Sequence, residues 1–419
     1  MSVYKNLDNC RVCNSLDLEE VITIEDQYLS PTFVESNKSN PLTEIKVPHT
    51  LLLCNDCSLL QLKETVEQDL LYKQYFYRSA VSDMMRKDLL EVVNEVLTCV
   101  NIEKEDYVVD IGANDCTMIS FFPETLNRCA IEPAENIDWS GVSSDIRIAN
   151  DYFSDVSLAN VVGENKVKIF TSCAMFYDLD DPNSFVTTIK NSLHQDGVFC
   201  IQLSYVVAML RNLNFYDICN EHLEYYSLTT LENLMQKNGL EIFDAKENAV
   251  NGGSVRVMVA HKGQRQRTAY FNALLQKEGT LSLDKRETYM AFHDKILDIK
   301  NKVNKIINNE IDSGNLVLGL GASTKGNMLL QTFGIGKERL PFISERNPEK
   351  VGLRTLGTDI ELISEKHARN LKPSCMLVLP WYFKTEIIKR ESAYIKNGGS
   401  LLFPMPYPHV VVGDKEIVL

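Results

Sequence analysis

The chain has 419 residues, 44% apolar and 24% charged, with 43 Lys and Arg against 57 Asp and Glu for a net charge of −14. At roughly 100 to 200 residues per domain this length predicts two or three domains, and the composition excludes a collagenous, low-complexity or wholly disordered chain. The acidic balance offers phosphate backbones no long-range attraction, which argues against a nucleic-acid partner.

The opening MSVYKNLDNCRVC has no basic stretch followed by an apolar one, and no later segment gives roughly 18 consecutive apolar residues. The expectation is a cytoplasmic protein with no membrane partner. Of the 11 cysteines, seven are scattered singly and four are paired as Cys10-Arg11-Val12-Cys13 and Cys54-Asn55-Asp56-Cys57. Two such knuckles are the usual way to offer four thiolates to one tetrahedral zinc ion. Residues 14–53 between them exceed the commonest ribbon spacing, so they must fold back, and Val21–Ile24 and Lys46–Leu53 read as strands flanking a loop. A redox dithiol is the competing reading, disfavoured in a reducing compartment. With four cysteine ligands Zn²⁺ has no open position, so the site is structural.

Residues 107–119 (YVVDIGANDCTMI) predict a buried strand ending near Asp110, a turn at Gly112 and a helix start. A second strand, Cys129–Ile131, ends in Glu132 about 20 residues on, the spacing at which a carboxylate takes the two hydroxyls of an adenosine ribose. A dinucleotide wants G-x-G-x-x-G under its pyrophosphate, whereas this turn has Gly112 alone. S-adenosylmethionine, which carries an adenosine and no phosphate, fits better, with Asp110 and Gly112 near its amino-acid portion. A strand-turn-helix without cofactor stays open at this point.

Strands at Val167–Phe170 and Gly197–Gln202, with a helix at Pro182–Leu193 between them, continue a mainly parallel doubly wound sheet. The segment Asp217–Ser227 (DICNEHLEYYS) then concentrates Asp217, Cys219, Glu221, His222 and Glu224. His222, beside an acid, is the sharpest candidate for a general base near neutral pH, a surface histidine being the alternative. From about Arg265 to Glu310 an apolar stripe at Ile296, Ile299, Val303 and Ile307 predicts a connector helix. A second strand-turn-helix begins at Asn315–Gly321, with further strands near Pro341–Ser344, Cys375–Leu379 and Gly399–Phe403. The backbone of the Gly321–Gly326 turn, with Lys325, is suited to phosphates, a plain buried turn being the alternative, and the spacing is not that of a Walker loop.

The cysteine pairs, Tyr75-Phe76-Tyr77-Arg78-Ser79, Asp110-Ile111-Gly112-Ala113-Asn114-Asp115, Asn220-Glu221-His222, Asn251-Gly252-Gly253-Ser254-Val255-Arg256 and Gly321-Ala322-Ser323-Thr324-Lys325-Gly326-Asn327 occur in this order. Together they resemble the S-adenosylmethionine-dependent sugar C-methyltransferases, the family of the 3-C-methyltransferases of branched deoxysugars such as mycarose and tetronitrose. The resemblance spans nearly the whole chain. It implies an α/β protein with a zinc-binding domain over 1–75, a Rossmann-like class I methyltransferase domain over 76–262, a helical connector over 263–312 and a Rossmann-like α/β nucleotide- and substrate-binding domain over 313–419.

It also implies a small-molecule partner, a nucleotide-linked keto sugar, deprotonated beside its 4-keto group to an enediolate that attacks the sulfonium methyl. His222 becomes the base, with Glu221, Tyr77 and Cys219 as catalytic candidates. Asp110, Gly112, Asn114, Asp115 and Glu132 fall to the cofactor, and Tyr75, Glu224, Ser323, Lys325 and Asn327 to the substrate. Three departures stand out. Cys219 and Met175 replace a Tyr and a His usual in members with the sugar activity, and Cys116 replaces a glycine of the cofactor turn. The first two bear on the acceptor, and keep O- or N-methylation of another small molecule open as the alternative.

Overall fold

The computed structural model describes residues 3–29, 33–35, 45–75 and 77–418, so Phe76 of the aromatic run lies outside the described residues. The central sheet has seven strands in the order Leu240–Asn248, Ser254–His261, Leu193–Ser204, Val167–Cys173, Tyr107–Ile111, Asn127–Ile131, Arg147–Ala149. All run parallel except Ser254–His261, which is inserted antiparallel to both neighbours. Its middle strands are nearly continuous apolar runs, as expected of strands covered on both faces.

One local expectation fails here for a physical reason. The helix start after Gly112 is only a 3₁₀ turn at Ile119–Phe121. Asn114 (φ +50°) and Cys116 (φ +62°) are left-handed, and the Asp115 carboxylate accepts from the Thr117 hydroxyl at 2.6 Å and its N–H at 3.3 Å. Such a side-chain turn competes with helix nucleation. The Pro182 helix is found as expected to within one residue, Pro182–Ser192, and Leu193 opens the next strand, with His194 near its start.

The zinc-binding part is an antiparallel sheet of Leu18–Tyr28, Lys46–Cys54, Leu60–Leu62 and Glu224–Tyr225. Its last strand belongs to the segment that carries His222. The C-terminal part is a nine-stranded mixed sheet with a parallel centre, Ser400–Phe403, Cys375–Val378, Val317–Leu320, Phe342–Glu345 and Glu361–Ser364. One outer edge is Phe33–Glu35 from the N-terminal part, paired with Leu353–Thr355.

The expected single connector is two helices, Ala269–Glu278 and Arg286–Asp312. The break follows Glu278, whose carboxylate turns back to accept the Leu228 and Thr229 N–H groups at 2.7 and 2.8 Å. The first helix is thereby docked on the central domain. The stripe Ile296, Ile299, Val303, Ile307 is buried as expected, in a core that runs without interruption from Leu51 through Phe199 to Met328. No helix among the described residues is long and apolar enough to cross a membrane.

Candidate active site

The four knuckle sulfurs lie within 4.8 Å of one another, with Cys10–Cys57 and Cys13–Cys54 each at 3.5 Å. Each knuckle closes the same way: Asn14 N–H donates to Cys10 O and Ser58 N–H to Cys54 O, both at 2.9 Å, and both donors are left-handed, at φ +66° and +61°. Sulfurs at about 2.3 Å from one tetrahedral ion stand about 3.8 Å apart, which the cluster satisfies with little movement.

At the central sheet, Gly112 (φ +70°) turns the chain off the Tyr107–Ile111 strand. Asp110 lies deeper than expected: its buried carboxyl accepts the Thr171 hydroxyl at 2.8 Å and is pushed up to about 8 by burial. Glu132 ends the neighbouring strand. One of its oxygens accepts Asn114 N–H at 2.8 Å and the other Ala134 N–H at 2.9 Å, leaving a lone pair on each for a diol. Burial raises this carboxyl and the two N–H groups oppose the rise. The bare face of Gly112 is covered by Met175, whose Cγ would stand 2.9 Å from an added Cβ. Cys116 takes the left-handed place a glycine fills at lower cost.

The aromatic run is sewn onto this turn. Asn136 exchanges two hydrogen bonds of 3.0 Å with the Tyr75 backbone. Asn114 accepts Ser79 N–H and donates to Tyr77 O, each at 3.1 Å, and Asp115 accepts Ala80 N–H at 2.8 Å. Arg78 ties the carbonyls of Tyr75, Tyr77 and Asn136 together. Tyr77 is 44% exposed. Burial raises the Tyr75 phenol, followed by the charges of Glu221, Asp178 and, more weakly, Glu132. The Tyr75 backbone is held by Asn136, and its ring centroid lies 6.4 Å from that of Tyr72, whose hydroxyl donates to Glu221 O, so Tyr75 links the loop after Glu132 to the histidine segment.

That segment follows the Leu193–Ser204 strand only after a helix, Val206–Asn212, and a 3₁₀ turn, Phe215–Asp217. His222 packs at a tilt on Tyr177, ring centroids 4.2 Å apart, and burial with the nearby Lys325 charge pushes it down to about 3. Burial pushes Glu221 up to about 7 and raises the Cys219 thiol well above its usual range. Tyr72 donates to Glu221 O at 3.1 Å. Tyr72, Tyr177 and the buried Asp178 escape a reading based on spacing, although Tyr177 and Asp178 follow a parallel strand's C-terminal end, where ligands bind in such sheets.

Two expected substrate residues are otherwise employed. Lys325 does not stand open for phosphates: its ammonium lies 2.5 Å from Asp217 and donates to Asn251 O at 3.1 Å, between the rings of Tyr216 and Tyr382. A buried lysine needs a counter-charge, and Asp217 provides it. Glu224 is also not in the site. Its side chain is fully buried against the zinc-binding part, with Arg11 Nε at 3.7 Å. Ser323 caps the Thr324–Phe333 helix by accepting Gly326 N–H at 3.0 Å, and Asn327 is buried in its first turn. Glu345, missed although it follows Gly321 much as Glu132 follows Gly112, accepts Ala322 N–H at 2.8 Å.

Three family profiles match consecutive stretches: a zinc binding domain over residues 10–72, a methyltransferase domain over 82–245 and a C-methyltransferase C-terminal domain over 249–406. The C-methyltransferase NovU of Streptomyces niveus is 25% identical over 420 residues, covering 99% of each chain. Among solved structures, an S-adenosylmethionine-dependent methyltransferase from Clostridium acetobutylicum is 14% identical with a TM-score of 0.33, over 44% of this chain and 94% of that one. The 1,6-didemethyltoxoflavin-N1-methyltransferase of Burkholderia thailandensis is 14% identical with a TM-score of 0.33, over 42% of this chain and 77% of that one.

Proposed function

We propose that the chain, an S-adenosylmethionine-dependent methyltransferase in which stretches matching zinc-binding, methyltransferase and C-methyltransferase C-terminal domains follow one another, methylates a carbon beside the ketone of a nucleotide-linked deoxysugar. The observation that carries the reading is the link made by Tyr75, whose backbone is bonded to Asn136 just after Glu132 and whose ring packs by Tyr72, the donor to Glu221 O. A reaction that joins a methyl donor to a carbon acid needs donor and base on either side of one space.

Glu132 and the Gly112–Asp115 turn hold the cofactor, which when bound supplies an electrophilic methyl group. Burial and the Lys325 charge push His222 down to about 3, below the near-neutral value expected of a general base; on this reading the unprotonated ring still takes the proton from the carbon beside the carbonyl, as a weaker base than the sequence suggests, and the electron pair moves onto the carbonyl oxygen. Glu221, with its carboxyl near 7, offsets the charge the ring acquires. Met175 and Cys219 place sulfur where the resembling family carries His and Tyr, which narrows the polar contacts left for the sugar. On this reading the working divisions are 1–75, 76–262, 263–312 and 313–419, with Ser323 on the side of the nucleotide half of the substrate and the buried Asn327 supporting its turn.

Incubation with methyl-labelled cofactor and a panel of nucleotide-linked 4-keto sugars tests the reading. Label is expected on carbon, with deuterium lost from the position beside the ketone. Label on oxygen or nitrogen, without deuterium loss, rejects it.

A further inference from the structure

The zinc cluster and the histidine segment share a sheet, and one residue joins them more closely still. Arg11 lies inside the first knuckle and is 4% exposed. Its N–H donates to Gln61 Oε1 at 3.1 Å, Nη1 to Leu62 O at 2.7 Å and Nη2 to Thr65 Oγ1 at 2.6 Å. Its Nε faces Glu224 Oε1 at 3.7 Å and Asp180 Oδ1 at 3.9 Å. The strand that Arg11 grips, Leu60–Leu62, pairs antiparallel with Glu224–Tyr225, Gln61 opposite Glu224. Leu62 N–H donates to Leu223 O, and Leu223 N–H to Tyr177 O, both at 2.8 Å. His222 is the next residue back along the chain, and Tyr177 is the ring it packs on.

The knuckle is gripped from the other side as well. Asn183 donates to Arg11 O at 2.7 Å and Val12 O at 3.1 Å, and Lys237 donates to Val12 O at 2.8 Å. Neither carboxylate oxygen of Glu224 makes a well-formed hydrogen bond, and burial raises the carboxyl well above its usual range, opposed by the Arg11 charge and the Leu179 N–H. A fully buried carboxylate in that condition is tolerated only beside a fixed counter-charge, and the charge at hand is fixed by a knuckle whose shape depends on its metal.

We infer that Arg11 is a positioning residue: zinc bound by Cys10, Cys13, Cys54 and Cys57 fixes Arg11, and Arg11, through Glu224 and the Leu60–Leu62 strand, fixes the backbone that presents Glu221 and His222. The metal site is on this account coupled to the catalytic segment, in addition to holding its own small sheet. The catalytic part of the inference rests on His222 being the base; the coupling does not.

The test uses the full chain, zinc-loaded and chelator-stripped. Amide exchange at 60–62 and 222–226 is expected to rise about tenfold or more on stripping, with 107–111 unchanged, since local opening exposes only the coupled unit. Arg11→Met with one zinc per chain retained is expected to lower kcat about 10- to 100-fold at unchanged cofactor affinity, the range seen for outer-shell partners, and Arg11→Lys to recover part of it. If Arg11→Met does not fold, Glu224→Gln, a neutral isostere, is read in the same way. Unchanged exchange at 222–226 in the stripped chain, or wild-type kcat in the zinc-loaded variants, overturns the coupling. Full turnover by His222→Asn with the exchange result intact retires the base assignment alone.

Discussion

The molecule builds the same turn twice and uses it differently. In the central sheet, Gly112 leaves a strand at φ +70° and Glu132, at the end of the next strand, accepts Asn114 N–H at 2.8 Å and Ala134 N–H at 2.9 Å. In the C-terminal sheet, Gly321 leaves at φ +81° and Glu345 accepts Ala322 N–H at 2.8 Å and Asn347 N–H at 2.7 Å. Even the glycine covers correspond, Met175 on one and Pro380 on the other. The surroundings differ. Two residues before its glycine the first turn has Asp110, whereas the second has Gly319, where an added Cβ would strike Ile343. Above the first turn lies the aromatic run; at the second, the Lys350 ammonium donates to Ala322 O at 3.1 Å, and Lys325 leaves the turn for Asp217. A turn–acid pair is thus a geometric device, and its neighbours decide what can be built on it.

The largest effect that separates the two halves is on turnover. His222→Asn is expected to lower kcat by about 10²- to 10⁴-fold at near-normal cofactor affinity, the usual size for a lost general base. A loss under tenfold in steady-state assays shifts the proton to Tyr77, Cys219 or another group. Next is Lys325→Ala, which strands the buried Asp217 carboxylate and is expected to cost about 3 to 5 kcal/mol in denaturant unfolding. Were it instead to raise KM alone at full stability, Lys325 would be a phosphate ligand after all.

The comparison itself is broken by matched substitutions. Glu132→Ala is expected to weaken S-adenosylmethionine binding by roughly 2 to 4 kcal/mol in calorimetry. Glu345→Ala should leave that affinity unchanged while lowering stability by about 1 to 3 kcal/mol, because two buried N–H groups lose their acceptor. Equal effects on cofactor affinity would make the two turns functionally equivalent.

A tilt with pH belongs to the first half alone. Burial raises Asp110 from 3.8 to about 8, so between those values the folded chain binds the proton that the unfolded chain has released. The contribution of Asp110 is fully present below 3.8 and is lost as pH climbs toward 8, at up to about 1.4 kcal/mol per pH unit. Asp110→Asn should flatten that part of the stability profile; an unaltered slope would place the titration elsewhere.

What was legible in the sequence is what depends on neighbours along the chain. The knuckles, the Gly112 turn and the acid of Glu132 are set by spacing within 30 residues or so, the range over which motif arguments work. Glu345 was equally legible by the same rule. The partnerships of Glu224 with Arg11 and of Lys325 with Asp217 were not, because each joins residues more than 100 positions apart, and no periodicity reports such a contact. The missing helix after Gly112 was hidden for another reason: Asp115 and the left-handed Cys116 decide it against the apolar pattern.

The strand Phe33–Glu35 completes its pairing only with Leu353–Thr355, and Leu60–Leu62 only with Glu224–Tyr225. During synthesis the knuckles emerge early and are able to close on zinc at once, while their sheet waits with an open edge. At about 5 to 20 residues per second, the roughly 300 residues that separate Phe33–Glu35 from its partner take about 15 to 60 s to appear. Unpaired strand edges are templates for the wrong partner, so the nascent chain is at its most vulnerable after its metal site has formed and before its last domain arrives.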